Sequence, residues 1–226
     1  MKKRTKLKDR QLPIYSKGEE IFNMVSHIVG GGFSIIALIS CLVVSIIHNN
    51  GYAIVSSLIY GFSQILLYTT SSVYHGLSPK KTMGKKVLQV IDHCVIYIMI
   101  AGCYTPFALV TFREYDPALG WGIFGIVWGI AIFGITLNSI DLKKYRVISM
   151  ICYLVMGWLI IFKIDLLLQL IGPVGMGLLL AGGIVYTIGV ILYGVGVKVK
   201  WMHSIFHIFI VIASILQFLS IILFVI

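Results

Sequence analysis

His203 and His207 stand four residues apart at the start of the last apolar run, residues 201–226. On a helix that spacing puts both imidazoles on one face, about one turn apart. A histidine pair at i, i+4 is a geometry that binds a transition metal. The rest of the run carries no ionisable group. Ionisable side chains in or beside a membrane span are costly to keep, which makes these two functional candidates. Any further ligand must come from another part of the chain and reach the same depth.

The elements that could bring it there are apolar helices. The chain has 226 residues, 59% hydrophobic and 12% charged, with mean hydropathy +1.00. A soluble domain carries about twice that charge. A membrane-crossing helix needs about 20 mostly apolar residues. Seven such spans are predicted, at about 21–47, 52–75, 88–111, 118–140, 146–163, 174–197 and 201–225. The expected fold is therefore all-α and polytopic, with residues 1–20 as a basic cytoplasmic tail and 21–226 as one transmembrane domain. Connections are short, including 141–145 and 164–173. Pro106 falls inside the third span and should kink it or end it early. The basic N-terminus resembles the start of a signal peptide. The apolar run after it is too long for one, so it is read as an uncleaved first span.

Charge sets the orientation. Sixteen of the eighteen Lys and Arg residues fall in the tail and in the second, fourth and sixth connections or at their edges; Arg113 and Lys163 are the other two. The positive-inside rule then puts the N-terminus in the cytoplasm and the C-terminus outside. The net charge of +10 becomes a cytoplasmic belt facing anionic lipid rather than a nucleic-acid surface. The four cysteines lie in apolar runs without a CxxC pair, so free thiols are expected. Glycines such as Gly125 and Gly129 would let helices approach closely.

With orientation set, the polar residues sort by depth. His203 and His207 lie at the cytoplasmic start of span seven. His75 ends span two on the same side, and Asp92 lies in the first turns of span three. Ser71, four residues before His75, shares its face one turn deeper. Three histidines around a divalent ion with water in the fourth position form a hydrolytic zinc arrangement, and Asp92 suits a group that orients or deprotonates that water. A single histidine at a helix end also serves simply as a hydrogen-bonding or headgroup contact. The shared level of four groups from three helices favours the metal site. Glu19, Asn23 and His27 form a stripe on span one, which suits interhelical hydrogen bonding and leaves a supporting or gating role open. His93 points about 100° away from Asp92 and is expected to pack or meet headgroups. His48, Asp116, Asp141 and Asp165 are expected to be solvated, and Trp121 and Trp201 to anchor at the interface.

At these positions the chain resembles the hemolysin III family, which belongs with the progestin and adipoQ receptors, including the adiponectin receptors. The resemblance rests on Ser71-Ser72-Val73-Tyr74-His75, Asp92 and His203-xxx-His207, with Glu19, Asn23 and His27 similar to the bacterial branch. It covers essentially the whole membrane domain. It implies seven helices, oriented opposite to G-protein-coupled receptors, in a bacterial plasma membrane. It also implies zinc held by His75, His203 and His207, with Asp92 holding the zinc-bound water and Ser71 lining the site. Alkaline ceramidases are relatives in the wider superfamily. The bacterial branch is named for haemolysis and linked to membrane-lipid homeostasis.

Three functions are expected in turn. The first is a zinc-dependent intramembrane hydrolase of a lipid amide or ester, with the substrate lipid in the bundle. The second is a pore-forming or lytic protein in which zinc only clips helices together. The third is a non-catalytic receptor of membrane state. A transporter fits less well, because its sites tend to lie near the midplane. A retinal protein does not fit, because span seven has no lysine. Oligomeric state is not legible.

Overall fold

The computed structural model describes residues 4–78 and 82–226. Lys2, Lys3, Lys80 and Lys81, four of the cations in the charge count, lie outside the described residues. Among the described residues six long helices run in chain order: α1 (Lys17–Ile47), α2 (Gly51–Gly76), α3 (Thr82–Pro106), α4 (Pro117–Trp158), α5 (Ile164–Val195) and α6 (Met202–Phe224). The described residues contain no strand.

Apolar side chains face outward. Ile28, Val29, Ile36, Phe133, Val147 and Leu223 are each more than half exposed, while Ser34, Ser45, Ser57, Gln64, Thr105 and Asn138 are buried. In water this arrangement would expose the wrong surface. In hydrocarbon it is expected, because lipid solvates the outside and the polar groups bond between helices. Ser45 and Ser57, for instance, share a hydrogen bond of 2.9 Å between α1 and α2. Among the described residues five helical stretches are long and apolar enough to cross a membrane, and the protein is an integral membrane protein.

One of the five, Pro117–Val195, has 79 residues. At 1.5 Å per residue it would extend about 120 Å if straight, about four times the hydrocarbon thickness. It is not straight. Backbone geometry leaves the helix at Asp141 (φ −161°, ψ 95°) and at Gly172 (φ 70°), where a left-handed conformation favours glycine. The chain folds back at the first break: Ser149 donates to Asn138 at 2.6 Å and Asn138 to Tyr153 at 3.2 Å. Across the second region, which begins with the 3₁₀ turn Leu159–Lys163, Trp158 donates to Thr187 at 3.0 Å. Residues 29 apart cannot meet on one straight helix.

Several expectations change. The connection expected at 164–173 is helical apart from Gly172, because eight largely apolar residues precede that glycine and can pack as a helix. Asp141, expected to be solvated, is 1% exposed. Its carboxylate accepts from the backbone N–H groups of Lys143 and Lys144 at 3.1 Å each, capping the next leg, and from Thr5 N–H at 2.7 Å. A carboxylate serving three donors leaves water at little cost. Gly125 and Gly129 face open space, whereas Gly134 lies against the Tyr97 ring and Gly182 against Gln217. Pro106 ends the α-helical part of α3, and the π-turn Phe107–Phe112 comes next, consistent with a missing N–H donor. Asp116 and Asp165 are exposed. His48 is exposed too, with Nδ1 2.8 Å from the main-chain oxygen of Ile226.

Candidate metal centre and cavity

Three helices carry the central histidines and their support. His75 occupies the last turn of α2, and His203 and His207 the first turns of α6. The ring nitrogens that each offers all lie within 4.8 Å of one another, and all three residues are buried. His203 Nε2 and His207 Nε2 are 3.1 Å apart. This group could hold a metal ion.

The hydrogen bonds around the rings fit that role. His75 Nδ1 lies 2.6 Å from Glu20 Oε2, and Glu20 also receives the Lys85 ammonium. His75 Nε2 is buried without a hydrogen-bond partner, as is His207 Nδ1. An imidazole that donates one N–H to a carboxylate and aims a bare nitrogen at its neighbours has the arrangement of a metal-ligating histidine. Buried polar atoms otherwise find partners. His75 belongs instead to a group of three buried imidazoles, each offering one nitrogen within 4.8 Å of the others, and that donor set fits zinc.

Asp92 and Ser71 join them. Ser71 is buried on α2, and Asp92 lies against it, with His75 close enough for its charge to act on the carboxylate. Both border a cavity of about 880 Å³ that also touches His27, His203 and His207. Much of its lining is apolar, with Leu67, Ile96, Met99, Phe107, Leu179 and Ile210 among its walls. That volume lies near the top of the range for small-molecule sites, about 300–1,000 Å³.

The stripe on α1 divides. Glu19 builds structure: it accepts from Ser16 N–H at 2.9 Å within a capping box and from Trp201 N–H at 2.7 Å. Trp201 takes a left-handed backbone (φ 67°) just before α6, so Glu19 fixes the turn from which His203 and His207 project. His27 stacks on His207 with ring centres 3.8 Å apart, and neither of its nitrogens has a partner. Asn23 is fully buried, with both side-chain polar atoms unpartnered. His93, expected to pack or meet headgroups, instead borders the cavity. Its Nδ1 is 2.8 Å from Gln89 O and its Nε2 3.0 Å from the Tyr193 hydroxyl.

Sequence reasoning misses three residues. It passes over Glu20 for the neighbouring Glu19; adjacent helical residues point about 100° apart, and spacing alone does not say which faces His75. It counts Lys85 only as an orientation charge. It overlooks Tyr15 in the tail, yet that ring stacks on His203 at 5.0 Å and meets His75 at 5.6 Å. Burial pushes the Tyr15 phenol well above its ordinary range, so its hydroxyl stays protonated. The tail is tied down beside it by Thr5 on Asp141, by Arg4 Nε on the Ile140 carbonyl at 3.0 Å and by Lys86 Nζ on the Lys8 carbonyl at 2.6 Å. Segment 5–15 therefore forms part of the cavity wall.

Comparison with known proteins shows the family of the chain. Residues 15–218 match the family described as Haemolysin-III related. The chain is 37% identical to Hemolysin-3 of Bacillus cereus over 207 residues, covering 92% of each chain. It is 38% identical to the Hemolysin-3 homolog of Bacillus subtilis (strain 168) over 192 residues, covering 85% of this chain and 87% of the relative. The human Monocyte to macrophage differentiation factor is 27% identical over 177 residues, covering 74% and 69%.

Proposed function

The chain belongs to the Haemolysin-III-related family, and we propose that within it this protein is a zinc-dependent intramembrane hydrolase of a lipid amide or ester. His75, His203 and His207 would hold the zinc, with Glu20 orienting His75. Zinc so held supplies Lewis acidity, polarising a carbonyl and acidifying water. Asp92 would take the proton of a water placed between it and the histidines. Ser71 would donate to the negative oxygen that develops on the acyl carbon. The acyl chain would lie along the apolar walls, which exclude bulk water from the reacting group.

The observation that carries this reading is the orphaned Nε2 of His75, turned toward two further histidines at the wall of a cavity that Asp92 and Ser71 share. A site meant only to clip helices would more often be closed by four protein ligands. The membrane arrangement proposed with it has seven crossings, the folded-back legs of Pro117–Val195 counting as three. The N-terminus would be cytoplasmic and the C-terminus outside. The site would then face the cytoplasmic leaflet and take its substrate there.

The second reading is a lytic or membrane-state protein with structural zinc. Two relatives carry the name Hemolysin-3, and the histidines join α2 to α6. Lipid mass spectrometry of cells with and without the protein, with Asp92→Asn and His207→Ala controls, separates the two. Accumulation of one acyl lipid in cells lacking the protein and in both variants supports the hydrolase. Identical lipid profiles with Asp92→Asn acting as wild type in permeability assays leave the structural-zinc reading.

A further inference from the structure

Arg10 is 7% exposed, and its Nη1 is buried without a hydrogen-bond partner. No carboxylate within ion-pair distance answers it among the described residues. Asp141 is the acid near enough to act on it, but the hydrogen bonds of Asp141 already go to the backbone of Thr5, Lys143 and Lys144. A guanidinium N–H withdrawn from water without an acceptor is costly, so a chain that keeps one normally supplies it with a hydrogen-bonding anion. Arg10 borders the 880 Å³ cavity, as do Lys143, Arg146, Lys198 and Lys200. Arg146 and Arg10 both lie close enough for their charges to act on His93, and Arg146 sits over the Tyr193 ring at 5.6 Å. The acids on the same wall do not balance them. Glu19 is taken by Ser16 and Trp201, and Asp92 lies with Ser71, which leaves Asp9.

We propose that the mouth of this cavity binds the phosphate headgroup of an anionic lipid, with Arg10 as the specificity-determining contact and the acyl chain in the apolar interior. The exposed lysines alone would fit general attraction to the leaflet, but a buried arginine on the cavity wall with an unpartnered Nη1 does not. Arginine matches phosphate oxygens with a planar fork, and the further cations exceed what one carboxylate would balance. Binding stands independently of the hydrolase reading; only the chemical step after binding rests on it. For that step the substrate class is an acyl ester of a phosphoglycerolipid. Water adds hydroxyl to the acyl carbon, the acyl C–O bond breaks, and the glycerol oxygen takes the proton, giving a fatty acid and a lysophospholipid.

The test uses the purified full chain carrying Asp92→Asn, so that binding is read without turnover. Native mass spectrometry measures retention of dioleoyl phosphatidic acid, dioleoylglycerol and oleate supplied together. Phosphatidic acid should be retained at least about tenfold over the other two, the scale of one charge-assisted hydrogen bond. Arg10→Gln should remove most of that preference and leave dioleoylglycerol unchanged, while Arg10→Lys restores part of it. Circular dichroism and melting confirm that the variant folds. If it does not, the pair Lys198→Gln/Lys200→Gln, on exposed residues, should weaken phosphatidic acid alone. Equal retention of all three lipids overturns the proposal, as does an unchanged preference in folded Arg10→Gln. Protection by millimolar inorganic phosphate equal to that by phosphatidic acid would overturn it too, assigning the site to a free anion instead. Preferred binding without turnover by wild type defeats the hydrolase reading and leaves this one standing; turnover of a neutral lipid without preferred binding does the reverse.

Discussion

Glu20 Oε2 lies 2.6 Å from His75 Nδ1. The contact joins the first turn of α1 to the last turn of α2 and decides which nitrogen of His75 is free. With Nδ1 donating to the carboxylate, Nε2 keeps its lone pair for the centre it faces with His203 and His207. Lys85 neutralises the other side of Glu20.

Glu20→Gln should therefore weaken metal binding without removing any ligand. Loss of such a partner typically costs 10–100-fold in affinity. Competition with a chelator of known zinc affinity measures it, and an unchanged constant would reduce Glu20 to a helix-joining residue.

His75→Ala, His203→Ala and His207→Ala should each lower zinc content, from about one per chain, and the melting temperature together, because metal binding energy is coupled to folding. Metal should also be lost on acidification, since a protonated imidazole has no lone pair to give. Elemental analysis after gel filtration checks both. Wild-type protein purified without chelators and found free of metal contradicts the proposed centre.

Asp92→Asn separates chemistry from structure. It should retain most of the zinc and the melting temperature while abolishing lipid turnover, read by mass spectrometry. Full turnover with zinc retained would remove Asp92 from the mechanism.

Asp141→Ala should free the tail. The cap on the second leg of α4 and the acceptor for Thr5 N–H disappear together, at a cost of about 1–2 kcal/mol. Hydrogen exchange should rise around residues 4–16 and 141–145. Protection unchanged in the tail would mean that Arg4 and Lys86 hold it without help.

Cysteine labelling of intact cells tests the arrangement in the membrane. A cysteine at Lys143 or Lys198 should react only after the cytoplasm is opened, and one at Ile226 from outside. The opposite pattern at Ile226 would overturn the proposed depth of the site.

Much of the site was legible in the sequence. Histidine spacing on one helix face comes from 3.6 residues per turn, and the charge distribution puts His75, Asp92, His203 and His207 at one proposed membrane level. Those are local or one-dimensional properties, and the structure brings the three histidines within reach of a single ion, with Asp92 on the wall of a cavity that His203 and His207 also border. Tertiary structure alone decided the rest. Periodicity puts Glu19 and not Glu20 in line with Asn23 and His27, yet Glu19 holds the turn at Trp201 and Glu20 orients His75, because helix rotation is set by packing. Asp141 reads as a loop carboxylate until three backbone donors surround it. Gly125 and Gly134 carry the same information in sequence, but only Gly134 meets a neighbour, Tyr97. Arg10 reads as one charge among seven in a basic tail. Its burial depends on the tail folding back over the bundle, a long-range event that no local pattern encodes.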